Sequence, residues 1–185
     1  LYTNKTAATL TLTRDSTTTT HLRTRMHNGT NWLAWGAYVL YPSSDTLAVT
    51  LPLGNGIRQI EVQYKDAAGI ESDLLSPITD DITLDTTAPT GSVTLVEGPL
   101  TNTVDLNLTL GATDSGVDAS GVSKVLVSTS SLFTVGLLTT EVDYDTNLAY
   151  PLPAAATTTD GLKTIYVKFK DLAGNFSPVY SKTIT

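Results

Sequence analysis

Gly56-Ile57-Arg58-Gln59-Ile60-Glu61-Val62-Gln63-Tyr64-Lys65-Asp66-Ala67-Ala68-Gly69 returns as Gly161-Leu162-Lys163-Thr164-Ile165-Tyr166-Val167-Lys168-Phe169-Lys170-Asp171-Leu172-Ala173-Gly174, about 105 residues later. In the first copy Ile60, Val62 and Tyr64 alternate with Glu61, Gln63 and Lys65; in the second, Ile165, Val167 and Phe169 alternate with Tyr166, Lys168 and Lys170. Successive side chains of a strand point to opposite faces, so each copy reads as a half-buried strand with one wet side. Asp66 to Gly69 and Asp171 to Asn175 read as tight turns after it, where Gly and Asn accept positive φ. The register runs on to Ser72 over Ser177 and Ser76 over Ser181. The first copy then carries about three extra residues before Ile82-Thr83, the counterpart of Ile184-Thr185. Two copies of one unit are present.

Working outward, Leu10 and Leu12 alternate with Thr9, Thr11 and Thr13, and Val104, Leu106, Leu108 and Leu110 alternate with Asp105, Asn107 and Thr109. Val93 with Leu95, then Val122, Val125 and Val127, predict further strands. Composition agrees. Thr fills 34 of the 185 positions and charged residues only 16%, and β-branched Thr suits the solvent face of a strand better than a helix. Short alternating strands between turns, without helical periods, predict an all-β fold of two tandem antiparallel β-sandwiches. Leu84-Asp85-Thr86-Thr87-Ala88-Pro89-Thr90 follows the last strand of copy one. Pro89 cannot donate to a ladder and holds Ala88 extended, which predicts a short, stiff, Pro-containing linker. The expected division is residues 1–86, a linker at 87–90, and residues 91–185.

The net charge is −7, and the 11 Lys and Arg residues are scattered. Nucleic-acid backbones are bound by clustered cations, so a nucleic-acid partner is not expected. No apolar run approaches the roughly 18 residues of a membrane-spanning helix, and membrane insertion is not expected. The absence of Cys rules out disulfides, thiolate metal sites and cysteine nucleophiles. The chain opens on Leu1 rather than Met, and we read it as a portion of something longer.

Several stretches resemble a known family. Asp85-Thr86-Thr87-Ala88-Pro89, the turns Tyr64 to Gly69 and Phe169 to Asn175, and the closing Ser177 to Thr185 resemble bacterial immunoglobulin-like or fibronectin type III-like tandem repeats of large extracellular or cell-surface proteins. So does Met26-His27-Asn28-Gly29-Thr30-Asn31-Trp32-Leu33-Ala34-Trp35-Gly36-Ala37-Tyr38, with its Asn-Gly turn and paired tryptophans. The resemblance covers nearly the whole chain. It implies immunoglobulin-like sandwiches that serve as stalks, spacers or adhesive modules outside the cell. The second copy departs from the pattern by lacking the tryptophan pair, and its Leu132–Tyr150 stretch is irregular.

Candidate sites are few. Two histidines, His21 and His27, no Gly-x-Ser-x-Gly elbow, no phosphate loop and no His-Glu-x-x-His leave little for an enzyme. Asp143 and Asp145 share a strand face without a nearby base. Calcium takes six to eight oxygens, and Asp114, Asp118, Asp171 and Asn175 lie in two loops that a sandwich brings to one end. The reading favoured against calcium is that each carboxylate bonds its own turn. Copy one offers only Asp15 and Asp66. Asp80, Asp81 and Asp85 are a further candidate set for an ion at the joint. Trp32, Trp35 and Tyr38 are candidates for a carbohydrate platform; core packing by Trp35, with Trp32 partly covering it, is the favoured alternative. Asn4, Asn28, Asn107 and Asn175 head sequons, and Thr17–Thr20 and Thr157–Thr159 are runs open to O-glycosylation.

The expected role is a non-catalytic structural or spacer module, extracellular or at the cell surface. Its partners would be neighbouring domains of the same protein, copies of itself in a filament, or cell-surface glycan. Self-assembly by edge-strand pairing and carbohydrate-binding adhesion are the alternatives.

Overall fold

The computed structural model describes residues 1–14, 18–73, 75, 77–134, 140–157 and 159–185. Asp15, Thr17, Ser76, Thr158 and part of the Leu132–Tyr150 stretch lie outside the described residues. The chain separates into two compact units, Leu1–Thr86 and Thr87–Thr185.

Unit 1 contains β1 (Tyr2–Thr3), β2 (Ala7–Thr11), β3 (Thr19–Met26), β4 (Val39–Leu40), β5 (Thr46–Thr50), β6 (Gly56–Asp66) and β7 (Ile78–Leu84). One sheet runs β1-β7-β6-β3-β4, and β2 pairs with β5 in the other. Apart from the parallel β1–β7 pair, the pairings are antiparallel. Leu12, Leu22 and Val62 meet between the layers, with Leu10, Tyr41, Leu47 and Tyr64 packed around them. Arg58 of β6 is only 2% exposed. Its guanidinium donates to the carbonyls of Pro52, Leu53, Gly54, Asn55 and Ile57, and these bonds satisfy the buried cation.

Unit 2 contains β8 (Thr90–Leu95), β9 (Asp105–Thr113), β10 (Val122–Ser128), β11 (Val142–Asp143), β12 (Asn147–Pro151), a four-residue helix α1 (Ala154–Thr157), β13 (Lys163–Asp171) and β14 (Tyr180–Ile184). The sheets are β11-β10-β13-β14 and β12-β9-β8. Val93, Leu106, Leu108 and Leu110 from one sheet meet Val125, Val127, Ile165, Val167 and Phe169 from the other in a single core. The alternation read along β13 is the alternation of burial: Ile165, Val167 and Phe169 are at 0% exposure.

The repeat extends to individual hydrogen bonds. Ser72 Oγ accepts the Tyr64 amide at 3.0 Å, and Ser177 Oγ accepts the Phe169 amide at 2.9 Å. The pairing of β3 with β6 shifts register between Thr19 and His21, and that of β10 with β13 between Val122 and Lys124. Each irregularity lies opposite the Asp that opens the turn, Asp66 or Asp171. An extra residue there tightens the local twist, aiming the end of the long strand into its turn.

Candidate functional site

The most distinctive side-chain array lies on β3 and β6 of unit 1, on the face turned from the core. Because Leu22 and Val62 point inward, the alternation sends Arg23, Arg25, Glu61, Gln63 and Lys65 the other way. The segment after β3 returns along that strand's edge. The Leu33 amide bonds Met26 O and the Gly36 amide bonds Thr24 O, at 2.8 and 2.9 Å. Three residues of the returning segment therefore advance against two of β3. That pitch sets Trp32, Trp35 and Tyr38 on one side, each half-buried.

Cations fill the gaps between the rings. The Arg25 guanidinium carbon lies 4.8 Å from the ring centroids of both Trp32 and Trp35. Arg23 lies 5.1 Å from Trp35 and 4.6 Å from Tyr38, and Lys65 Nζ lies 3.9 Å from Tyr38. His27 meets Trp32 edge-on at 5.3 Å. Beneath, Arg25 Nε donates to Glu61 Oε2 at 2.5 Å and Arg23 Nε to Gln63 Oε1 at 2.7 Å. Tyr38 Oη donates to the same Gln63 oxygen at 3.1 Å, and Gln63 Nε2 donates to Glu71 at 3.2 Å. Burial, followed by the Glu71 carboxylate, pushes the Tyr38 phenol above its ordinary pKa against the pull of Arg23. Cation–π contacts each contribute about 0.5–1 kcal/mol when exposed and about 2 when desolvated.

Two expectations are corrected by this ladder. Neither Trp35 nor Trp32 belongs to the core; both lie on the opposite face, because Arg23 and Arg25 alternate with the core residues of β3 and the rings stack on them. Glu61 and Gln63, on the side of β6 read as wet, are only 5% and 2% exposed, being roofed by the same rings and guanidinium groups. The signal in the sequence was an aromatic at every third position, Trp32, Trp35 and Tyr38, shortly after Arg23-x-Arg25. A strand's period of two does not catch that spacing.

In unit 2 the loops after β9 and β13 bring together part of the proposed calcium set. One carboxylate oxygen each of Asp114 and Asp171 lie within 4.8 Å of one another. Asp171 Oδ1 accepts the amides of Gly174 and Asn175 at 2.7 and 2.8 Å, and its Oδ2 accepts Asn175 Nδ2 at 2.8 Å. Asp114 Oδ2 accepts the Gly121 amide at 2.7 Å. At least three of the four oxygens take N–H donors, which ties each carboxylate to its own loop. Asp118 is exposed, with φ at 52°, and is not drawn into this pair. Asp66 repeats the turn pattern in unit 1, accepting the Ile70 amide at 2.8 Å. Asp85, fully buried, accepts Asn55 Nδ2 at 3.2 Å, while Asp80 and Asp81 stand exposed along β7. Among the described residues Asp80 and Asp81 join no acidic cluster.

No protein-family model matches the chain, and no curated protein matches it. Among solved structures it is similar to one described as the fibronectin(III)-like modules of Clostridium thermocellum CbhA. The TM-score is 0.52 at 15% identity, over 99% of this chain and 86% of that one. The fold is fibronectin(III)-like. A second structure, the tetra-tandem repeat in the extending region of a large adhesion protein, aligns with a TM-score of 0.32 and 16% identity, over 100% of this chain and 46% of that one. In a fibronectin(III)-like sandwich, function is carried by what the faces and loops present rather than by the fold. Here the aromatic face presents rings whose gaps are already filled by Arg23, Arg25 and Lys65.

Proposed function

We propose that the chain is a non-catalytic structural module of an extracellular or cell-surface protein, a spacer that links or displays other domains. The observation that carries this reading is the ladder itself. Arg25 is shared between Trp32 and Trp35 and is ion-paired to Glu61. Aromatic residues that bind sugars do so through an open ring face, and interleaved guanidinium groups take up the faces they touch. The turn acids support the same role, since Asp66, Asp114 and Asp171 hold their own loops together. Such a module works through its folded length and solubility, for which an acidic, Thr-rich surface is suited.

The reading is tested in the host protein. Replacing residues 1–185 by two unrelated sandwiches of equal length leaves the host's surface activity intact if the module is a spacer. Loss of that activity, restored only by this sequence, overturns the role. Saturable quenching of the tryptophan emission by a soluble polysaccharide favours the carbohydrate-binding alternative instead.

A further inference from the structure

An asparagine followed by glycine occurs twice in unit 1, at Asn28-Gly29 and at Asn55-Gly56. Such a pair can cyclise: the glycine amide nitrogen attacks the asparagine side-chain carbonyl, ammonia leaves, and water opens the resulting imide. Glycine permits the attack because no Cβ shields its nitrogen. The two pairs surround this chemistry differently.

At Asn28 the polar atoms are arranged for it. The Gly29 N–H donates to His27 Nδ1 at 3.2 Å, so the nitrogen that must lose its proton directs that proton at a basic atom. Asn28 Oδ1 accepts the amides of Thr30 and Asn31, each at 2.9 Å. These two donors polarise the carbonyl and face the oxygen on which negative charge develops. Among the described residues Asn28 Nδ2, the leaving nitrogen, makes no hydrogen bond. The imidazole is held in place: the His27 amide bonds Gln59 O at 2.8 Å, and the ring meets Trp32 edge-on at 5.3 Å. Gly29 is exposed, so water reaches the imide.

Asn55 is held for the opposite outcome. Its Nδ2 donates to Asp85 Oδ1 at 3.2 Å, and its Oδ1 accepts the Thr86 amide and hydroxyl at 2.9 and 2.8 Å. The leaving nitrogen is thereby tied to a carboxylate, whose charge opposes a second negative centre beside it. Gly56 is buried at the start of β6, and among the described residues no imidazole accepts its amide.

We propose that Asn28 is a self-modification site, at which the folded chain converts Asn28 through a succinimide to aspartate and isoaspartate. The Gly29 nitrogen gives its proton to His27 Nδ1 while its lone pair forms a bond to Asn28 Cγ. The Thr30 and Asn31 amides hold the negative charge on Oδ1. As the carbonyl re-forms, the Cγ–Nδ2 bond breaks, and the side-chain nitrogen leaves as ammonia with the proton from His27. Water then adds to one of the two imide carbonyls. Breaking the bond from Gly29 N to Cγ leaves aspartate, and breaking the bond to the main-chain carbonyl carbon leaves isoaspartate. The net change is one water taken up and one ammonia released. Isoaspartate carries the main chain through Cβ and so lengthens the turn that leads into Trp32. This site is independent of the spacer role.

The test holds the purified 185-residue chain in neutral buffer and follows Asn28 and Asn55 separately by peptide mapping and mass spectrometry. Asn28 is expected to convert on the order of 100-fold faster than Asn55 in the folded chain, and the two rates to converge in guanidinium chloride. Hydroxylamine, which cleaves at a succinimide, is expected to cut the folded chain between Asn28 and Gly29. His27→Phe keeps a ring against Trp32 but removes the proton acceptor, and is expected to slow Asn28 about 100-fold while leaving Asn55 unchanged. If that variant unfolds, seen as Asn55 converting at its unfolded rate, the folded and unfolded rates of the unmodified chain decide alone. Asn28 converting no faster than Asn55 in the folded chain overturns the proposal. So does a rate at Asn28 that unfolding does not lower, or that a folded His27→Phe variant keeps.

Discussion

Arg25 donates from Nε to the Glu61 carboxylate at 2.5 Å, an ion pair in which the glutamate side chain keeps 6% of its exposure and the arginine 29%. Removing the arginine strands a buried carboxylate and separates Trp32 from Trp35. Arg25→Ala is expected to cost about 2–3 kcal/mol, less than the roughly 3–5 of a fully buried pair because water reaches the guanidinium. Glu61→Gln, which keeps an acceptor oxygen, is expected to cost about 1 kcal/mol. Urea unfolding followed by tryptophan emission separates the two. Equal costs would mean that packing, and not charge, holds the ladder.

The serine repeat makes a paired prediction. Ser177 Oγ takes the Phe169 amide in a buried position, and Ser72 Oγ takes the Tyr64 amide in an exposed one. Ser177→Ala leaves a buried donor unsatisfied and is expected to cost about 1–3 kcal/mol, whereas Ser72→Ala costs about 0.5 because water replaces the hydroxyl. Comparable losses from both would contradict the difference in burial.

Gly91 is demanded by packing. A Cβ there would lie 2.3 Å from Phe169 Cε2 and 2.6 Å from Gly111 O. Phe169 is fixed between Tyr144 and Tyr180, with ring centroids at 5.7 and 6.0 Å, so it cannot swing aside freely. Gly91→Ala is expected to destabilise unit 2 by about 1–3 kcal/mol. Gly69→Ala meets nothing within 4 Å and carries only the strain of φ at 85°, about 1–2 kcal/mol. Calorimetry on both variants checks the order, and a Gly91→Ala protein that melts unchanged would refute the close approach.

Glu97 supplies a pH dependence. Burial pulls its carboxyl upward, but the side-chain amide and backbone amide of Asn107, together with its own backbone, outweigh that and hold its pKa below the ordinary value. A depressed folded pKa means that its stabilisation is complete above about pH 4.3, the unfolded value, and fades as pH falls through the lower folded one. Glu97→Gln is therefore expected to flatten the acid limb of the unit 2 stability curve. An acid limb identical to that of the unmodified chain would show that Glu97 does not contribute.

Much of the fold was legible because strands with one buried face write their burial into the sequence. Ile165, Val167 and Phe169, read as core by alternation, are fully buried, and the copied Asp turns carry the same capping bonds. The aromatic face was misread because Trp and Tyr are large and apolar, which points to a core, whereas their placement depends on the return path of residues 33–38 beside β3. No local period encodes that path. The loop pair Asp114 and Asp171 was foreseen as neighbours from the convergence of sandwich loops, while Asp118 was not separable from them by residue type.

The most direct test of a spacer role against self-assembly is negative-stain electron microscopy of the purified 185-residue chain at increasing concentration. Discrete, separate particles at every concentration are the expected result. Long fibres with a regular repeat would contradict the spacer reading and establish the chain as a filament subunit.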